Sequence, residues 1–235
     1  MSHHLVPTAI DLALARTGVY RWFSKAFREP SGLDSGDSLR RALAELPGLE
    51  QAAVPDVEPS RLASEYRQVF SHNLTPDCPP YETQYGSTHI FWQSQQLADI
   101  AGFYRAFGLE LSQQAHERLD HLAVELEFMG YLSLKEAYAL ERHHDAQGAV
   151  VQDAQRKFLN EHLGRWVSAF SSRVQAKLPG GAYASLAETL NLVVRWDCQR
   201  LGVKPEALRF DATAQRQEPN EERCLPCGPG GPACA

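Results

Sequence analysis

The apolar residues of this chain recur at intervals of three and four, and nowhere alternate in a period of two long enough to make a strand. A stripe with that period is buried on one face of a helix. The sequence therefore predicts an all-α fold, with roughly seven or eight helices joined by short connections. The longest run covers residues 113–144, where Leu119, Leu122, Leu126, Met129 and Leu132 share a face. Pro7-Thr8 followed by Asp11 reads as a capped start of a helix reaching about Phe27, closed by Pro30-Ser31-Gly32. Leu39, Leu43 and Leu46 mark a second helix, ended by Pro47-Gly48, and Pro59-Ser60 opens a third carrying Leu62, Tyr66, Val69 and Phe70. Residues 71–89 break the pattern and read as an ordered loop. Helical spacing then resumes through Leu97, Ile100, Ala101, Tyr104 and Phe107 to Gly108. Phe158, His162, Trp166 and Phe170 mark a further helix, stopped by Pro179-Gly180-Gly181. A last one carries Tyr183, Leu186, Leu190 and Val194 up to Gly202. Residues 1–210 are expected to form one helical domain, and 211–235 a flexible tail of Cys, Pro and Gly.

With 43% hydrophobic residues in 235, the chain can bury a substantial core. A net charge of −6 without a basic stripe argues against nucleic-acid binding and suits a basic partner. The N-terminus lacks the basic and apolar regions of a secretory signal, and no run approaches the ~20 apolar residues of a membrane span. A cytoplasmic protein without stable membrane insertion is expected. Five cysteines, unevenly spread, do not make a secreted disulfide framework.

Little in the sequence speaks for catalysis. Phosphate-binding loops, a Gly-x-Ser-x-Gly elbow and His-Glu-x-x-His are all absent. Cys78 precedes two prolines and reads as a structural loop cysteine. Glu141-x-x-His144 stands alone, whereas a di-metal carboxylate bundle needs two such pairs. Cys224-Leu-Pro-Cys227 has the spacing of half a zinc knuckle, and Cys234 would be a third ligand. No cofactor is otherwise expected. The alternative to a binding protein is thus a helical metal-binding or redox protein using these cysteines, or Glu141 and His144.

Two further stretches carry polar chemistry. Cys78-Pro79-Pro80-Tyr81-Glu82-Thr83-Gln84-Tyr85 is stiffened by its prolines and is expected to project Tyr81, Glu82 and Tyr85 for contact with a peptide. On the long helix, Asp120, His121 and Glu125 form an acidic, titratable patch. The flanking carboxylates are expected to favour the protonated form of His121, so that peptide affinity falls as pH rises.

Five pieces stand in order along the chain: Glu65-Tyr66-x-x-Val69-Phe70, Pro79-Pro80-Tyr81-Glu82-Thr83-x-Tyr85, Asp120-His121-x-x-x-Glu125-Leu126-Glu127-Phe128-Met129, Phe158-Leu159-x-x-His162-Leu163-x-x-Trp166-x-x-x-Phe170 and Tyr183-x-x-Leu186-Ala187. In this order, from about Leu12 to Leu201, the sequence resembles the TorD/DmsD family of redox-enzyme maturation chaperones, relatives of the nitrate reductase assembly chaperones. The resemblance implies a non-enzymatic, all-helical chaperone, monomeric or homodimeric. It would bind the twin-arginine signal peptide and the apo catalytic subunit of a molybdenum-cofactor enzyme, before cofactor insertion and export. It also implies that Tyr81, Glu82, Tyr85, Asp120 and His121 line the peptide groove, with Glu125, Tyr66 and Phe70 nearby. Some family members carry a proline just before the Asp-His pair. Here Glu117-Arg118-Leu119 stands there, and the helix is expected to run on. The resemblance carries nothing over to the cysteine tail.

Overall fold

The computed structural model describes residues 7–28, 33, 36–56, 58–70, 77–86, 89–112 and 117–209. Among these residues eight α-helices follow one another: α1 (Ala9–Ala26), α2 (Gly36–Ala44), α3 (Pro59–Phe70), α4 (Ile90–Ala106), α5 (Leu122–Glu141), α6 (Asp145–Phe158), α7 (Gly164–Lys177) and α8 (Ala182–Leu201). A 3-10 turn (Glu82–Gln84) precedes α4, and a π-helical stretch (Leu159–Leu163) joins α6 to α7 without interruption. Among the described residues there is no strand, only an isolated antiparallel bridge between Tyr81 and His121. The all-α class is as expected.

α1 starts where Thr8 and Asp11 satisfy each other. The Asp11 amide donates to Thr8 Oγ1 (3.2 Å) and the Thr8 amide to the Asp11 carboxylate (2.9 Å), a reciprocal capping box. α1 then packs along α5. The approach is close because α5 offers Gly130: a Cβ there would come within 3.1 Å of Arg21 Cγ and 3.4 Å of Tyr20 Cβ. α7 lies along α8, and α6 along α5.

Arg16, only 1% exposed, lies inside this bundle. It pairs with Glu136 of α5 at 2.6 Å and Asp197 of α8 at 2.9 Å, and donates to Gln155 of α6. Tyr20 donates to Asp197 at 2.8 Å, and Arg200 closes the network on Asp197 at 2.8 Å. Burial, the largest single effect, pushes Glu136 and Asp197 up, but the charges of Arg16 and Arg200 with their hydrogen bonds together hold both below the usual carboxylate range. Two cations meet two anions here, and four helices are tied together.

Phe27, Phe70, Phe170 and Tyr183 form a second core, with Tyr66 against Phe70 and Tyr183. Glu65, beside them, accepts the backbone N–H of Tyr183 at 3.1 Å and so caps the first turn of α8.

The expectation of one helix through 113–144 is corrected at both ends. α5 starts only at Leu122, and Asp120 and His121 precede it. The reason lies in partners distant in sequence. The Leu122 amide donates to the Pro80 carbonyl (2.8 Å), and His121 Nδ1 accepts from the Ala123 amide (3.1 Å). The free amides of the helix start are thus satisfied by the loop and by a histidine, which is not one of the usual capping residues. At the other end α5 stops at Glu141, His143 takes a positive φ of 55°, and α6 begins at Asp145. Glu141 and His144 are exposed at this turn. Cys224, Cys227 and Cys234 lie outside the described residues, as does the rest of 210–235.

Candidate functional site

The Pro-Pro-Tyr-Glu loop is stitched onto the residues before α5. Glu82 N–H donates to the Asp120 carbonyl at 2.9 Å. The Asp120 carboxylate accepts from the Thr83 amide (3.1 Å), the Thr83 hydroxyl (2.7 Å) and Arg118 (3.0 Å). Arg118 also lies over the Tyr81 ring, 5.0 Å from its centroid, and Tyr81 meets His121 edge-on at 5.0 Å. Tyr85 turns inward, donates to the Pro79 carbonyl at 3.0 Å and packs on Trp166.

This stitching buries the acids. Glu82, Asp120 and Glu125 are 0% exposed. The Glu82 carboxylate takes Gln96 of α4 at 2.9 Å and His162 Nδ1, from the π-helical stretch, at 3.1 Å. Glu125 accepts the indole N–H of Trp166 at 3.1 Å, and its carboxyl faces that of Glu82. Burial first, and Glu82 second, push the Glu125 carboxyl far above the usual carboxylate range. The nearby charge of Glu82 disfavours ionisation of Glu125 in this buried position. Glu125 Oε1, Asp120 Oδ1 and His162 Nε2 are buried without a hydrogen-bond partner.

His121 behaves opposite to expectation. Burial, with a smaller effect from Arg28, pushes its pKa down to about 3. Asp120 is turned to Thr83 and Arg118, and Glu125 to Trp166 and Glu82; Glu117, 3.5 Å from Nε2, does not offset the burial. Its Nδ1 accepts from the backbone and must stay unprotonated.

The loop does not project its side chains, which corrects the expected display of Glu82 and Tyr85. Of the eight residues expected at a groove, the structure gathers Tyr81, Glu82, Tyr85, Asp120, His121 and Glu125, with Tyr81 alone of these only half-buried. Tyr66 and Phe70 sit away from the loop in the same core, and ring contacts run from Phe70 through Phe170 and Trp166 to Tyr85.

The accessible surface lies next door. A cleft of about 640 Å³ runs beside α4, walled by Tyr85, Trp92, Gln96, Asp99, Arg165 and Leu208. Its side is closed by residues 203–209, where the Leu208 amide donates to the Arg165 carbonyl at 2.8 Å and the Gly86 amide to the Arg209 carbonyl at 2.9 Å. Gly86 holds a φ of +93° beneath Leu208, 3.1 Å from where a Cβ would stand, which suits glycine alone. At the start of α4, Ile90, Phe91 and the cleft-lining Trp92 are 76%, 62% and 56% exposed. Three consecutive large apolar residues in water are rare outside contact surfaces.

Sequence reading missed Trp92, Asp99, Gln96 and the polar role of His162. Ile90-Phe91-Trp92 directly after the loop was the available signal. His162 fitted the apolar stripe of its helix, and its carboxylate partner is 80 residues away. Cys78 and Cys198 are buried thiols pushed up to about 11 and about 12 by burial, far from nucleophilic at neutral pH.

Comparison with known proteins agrees with the resemblance. Over 113 residues, 48% of this chain, the protein is 37% identical to the chlorate reductase assembly chaperone protein of Ideonella dechloratans, and it spans only 56% of that protein's length. It is 27% identical over 204 residues to the perchlorate reductase assembly chaperone protein of Dechloromonas aromatica, covering 80% of this chain and 90% of that one. To the chaperone protein TorD of Vibrio cholerae serotype O1 it is 26% identical over 170 residues, 71% and 74% of the two chains. With residues 36–172 matching the family model of the nitrate reductase delta subunit, the chain belongs to the TorD/DmsD family of redox-enzyme maturation chaperones.

Proposed function

We propose that this protein is an assembly chaperone for the catalytic subunit of a molybdenum-cofactor reductase, acting in the cytoplasm, and that it binds the subunit's twin-arginine signal peptide before cofactor insertion and export. The observation that carries this reading is the match to relatives named for reductase assembly, in one case across 90% of the relative's length. Those names describe assembly and not catalysis, and no helix among the described residues is long and apolar enough to cross a membrane.

The contact surface in this reading is the α4 cleft and its mouth. Ile90, Phe91 and Trp92 take the apolar region of the signal peptide, laid along the groove as a short helix. The net charge of −6 draws in the arginine-bearing end. Glu82, Asp120 and Glu125 act from behind the surface. They fix the loop and, through Gln96, the angle of α4, while Tyr85 forms part of the wall.

The test is calorimetric titration with synthetic twin-arginine signal peptides of molybdenum reductases, each paired with a variant in which both arginines are glutamine. Binding of the natural peptide at least ~10-fold tighter than its paired variant is expected. If no twin-arginine peptide and no apo catalytic subunit binds, the reading fails.

A further inference from the structure

His162 is buried, 1% exposed, at the junction of the cleft and the acid cluster. Its two ring nitrogens face different carboxylates. Nδ1 lies 3.1 Å from Glu82 Oε2, and Nε2 lies 3.3 Å from Asp99 Oδ2. With Nδ1–H given to Glu82, Nε2 is a bare lone pair, and it has no hydrogen-bond partner among the described residues. It looks at a second acceptor, the Asp99 carboxylate. Two acceptors facing one another call for a cation between them.

The surroundings suit a metal ion. Glu161 joins Asp99 and His162, and one ligand atom from each lies within 4.8 Å of the others. The 3.3 Å between Nε2 and Oδ2 is the edge of a tetrahedron with bonds of about 2.0 Å, the usual length for imidazole and carboxylate on zinc. A buried carboxylate behind the other ring nitrogen is the arrangement that fixes the tautomer and orientation of a metal-bound histidine. The backbone is shaped for it as well. Glu161 and His162 sit in the π-helical stretch Leu159–Leu163, where the Gly164 amide reaches back to the Leu159 carbonyl. A Cβ on Gly164 would press on that carbonyl and come within 2.7 Å of Pro205, so the irregular turn is built around glycine. Such π turns recur at functional sites.

We propose that Asp99, Glu161 and His162 bind one divalent first-row transition ion, such as zinc, with Glu82 as the carboxylate behind His162. One neutral imidazole and two carboxylates balance a dication, and they leave coordination positions for water on the solvent side, where Asp99 and Glu161 are exposed. The site is independent of the tail cysteines and of the chaperone reading.

The test uses the chelator-stripped full chain with Cys224→Ser, Cys227→Ser and Cys234→Ser, which removes the tail thiols as competing ligands. Titration with Zn²⁺ and Co²⁺ is expected to give one site per chain. The cobalt form should show visible d–d bands without thiolate charge-transfer absorption. Asp99→Asn and Glu161→Gln change exposed side chains, so the fold, checked by circular dichroism, should hold. Each should weaken binding at least ~10-fold, within the range seen when groups around a metal are altered. The absence of a site in the cysteine-free chain, or unchanged affinity in both variants, would overturn the proposal.

Discussion

Two clusters of buried charge lie in this molecule and are built on opposite terms. Around Arg16, two cations meet two carboxylates, and the guanidinium has a partner for each face. Around Glu82, three buried carboxyls gather with His162, Trp166 and Gln96, and Arg118 reaches only Asp120. Among the described residues, four buried side-chain polar atoms lack a hydrogen-bond partner, and three of them, on Asp120, Glu125 and His162, belong to the second cluster. Unmet buried groups are costly, and a protein that keeps them uses them. The first cluster holds four helices together. The second sits behind the accessible cleft and sets its wall.

The comparison can be broken most forcefully at Arg16. Arg16→Met leaves Asp197 and Glu136 buried without their main counter-ion and should cost about 3–5 kcal/mol in chemical denaturation. A loss below ~1 kcal/mol would show that the network is not structural.

The next effect is at low pH. The folded pKa of His121 is about 3, below the ordinary 6.5, so the unfolded chain binds a proton that the folded chain refuses. Stability present above pH 6.5 is therefore lost as pH falls toward 3. At pH 5 the loss is about 2 kcal/mol relative to neutral pH. His121→Asn keeps a capping side chain and should remove this loss. An unchanged acid limb in the denaturation midpoint would contradict the assignment.

Glu125 has the opposite sign. Its folded pKa is raised, so its contribution is fully present below the unfolded value near 4.5 and declines as pH rises toward the folded one. Glu82 across from it, Asp120 and the Trp166 N–H are the groups it faces. Glu125→Gln keeps the bond to Trp166 and can donate to Glu82. Relative to the parent, the variant should gain stability as pH rises above the unfolded value near 4.5, and a flat difference would count against the raised pKa of Glu125.

Asp99→Asn sharpens the contrast from the other side. This exposed residue should change stability by no more than ~0.5 kcal/mol while weakening metal binding at least ~10-fold, which separates site from scaffold within one experiment.

The fold was legible because helical periodicity is local. Thr8, Gly108 and Gly202 mark helix ends through their own backbone or side-chain chemistry, and the structure uses each so. The start of α5 was not legible. Its capping atoms come from His121 and from Pro80, 42 residues earlier by number, and no local pattern encodes that pairing. The membership of the polar cluster was legible from the order of motifs. Its burial was not, since Glu82 and Asp120 read as surface acids until their partners Gln96, His162 and Thr83 are placed around them. Tyr66 and Phe70 were drawn toward the groove by their place in a motif, although their neighbours are Phe170 and Tyr183. Trp92 stood in an available signal, the apolar run Ile90-Phe91-Trp92, but only the fold shows that this run is exposed and not core.

The central claim is that clients bind on the α4 cleft, with the buried acids acting behind it. Its most direct test is titration of a twin-arginine signal peptide into the parent protein and into Trp92→Ala. Trp92 is 56% exposed, so its loss should leave thermal stability unchanged. The account predicts affinity weaker by about 30-fold, near 2 kcal/mol, as for an aromatic anchor at the centre of an interface. Equal affinity in the two proteins would place the client elsewhere and contradict the account.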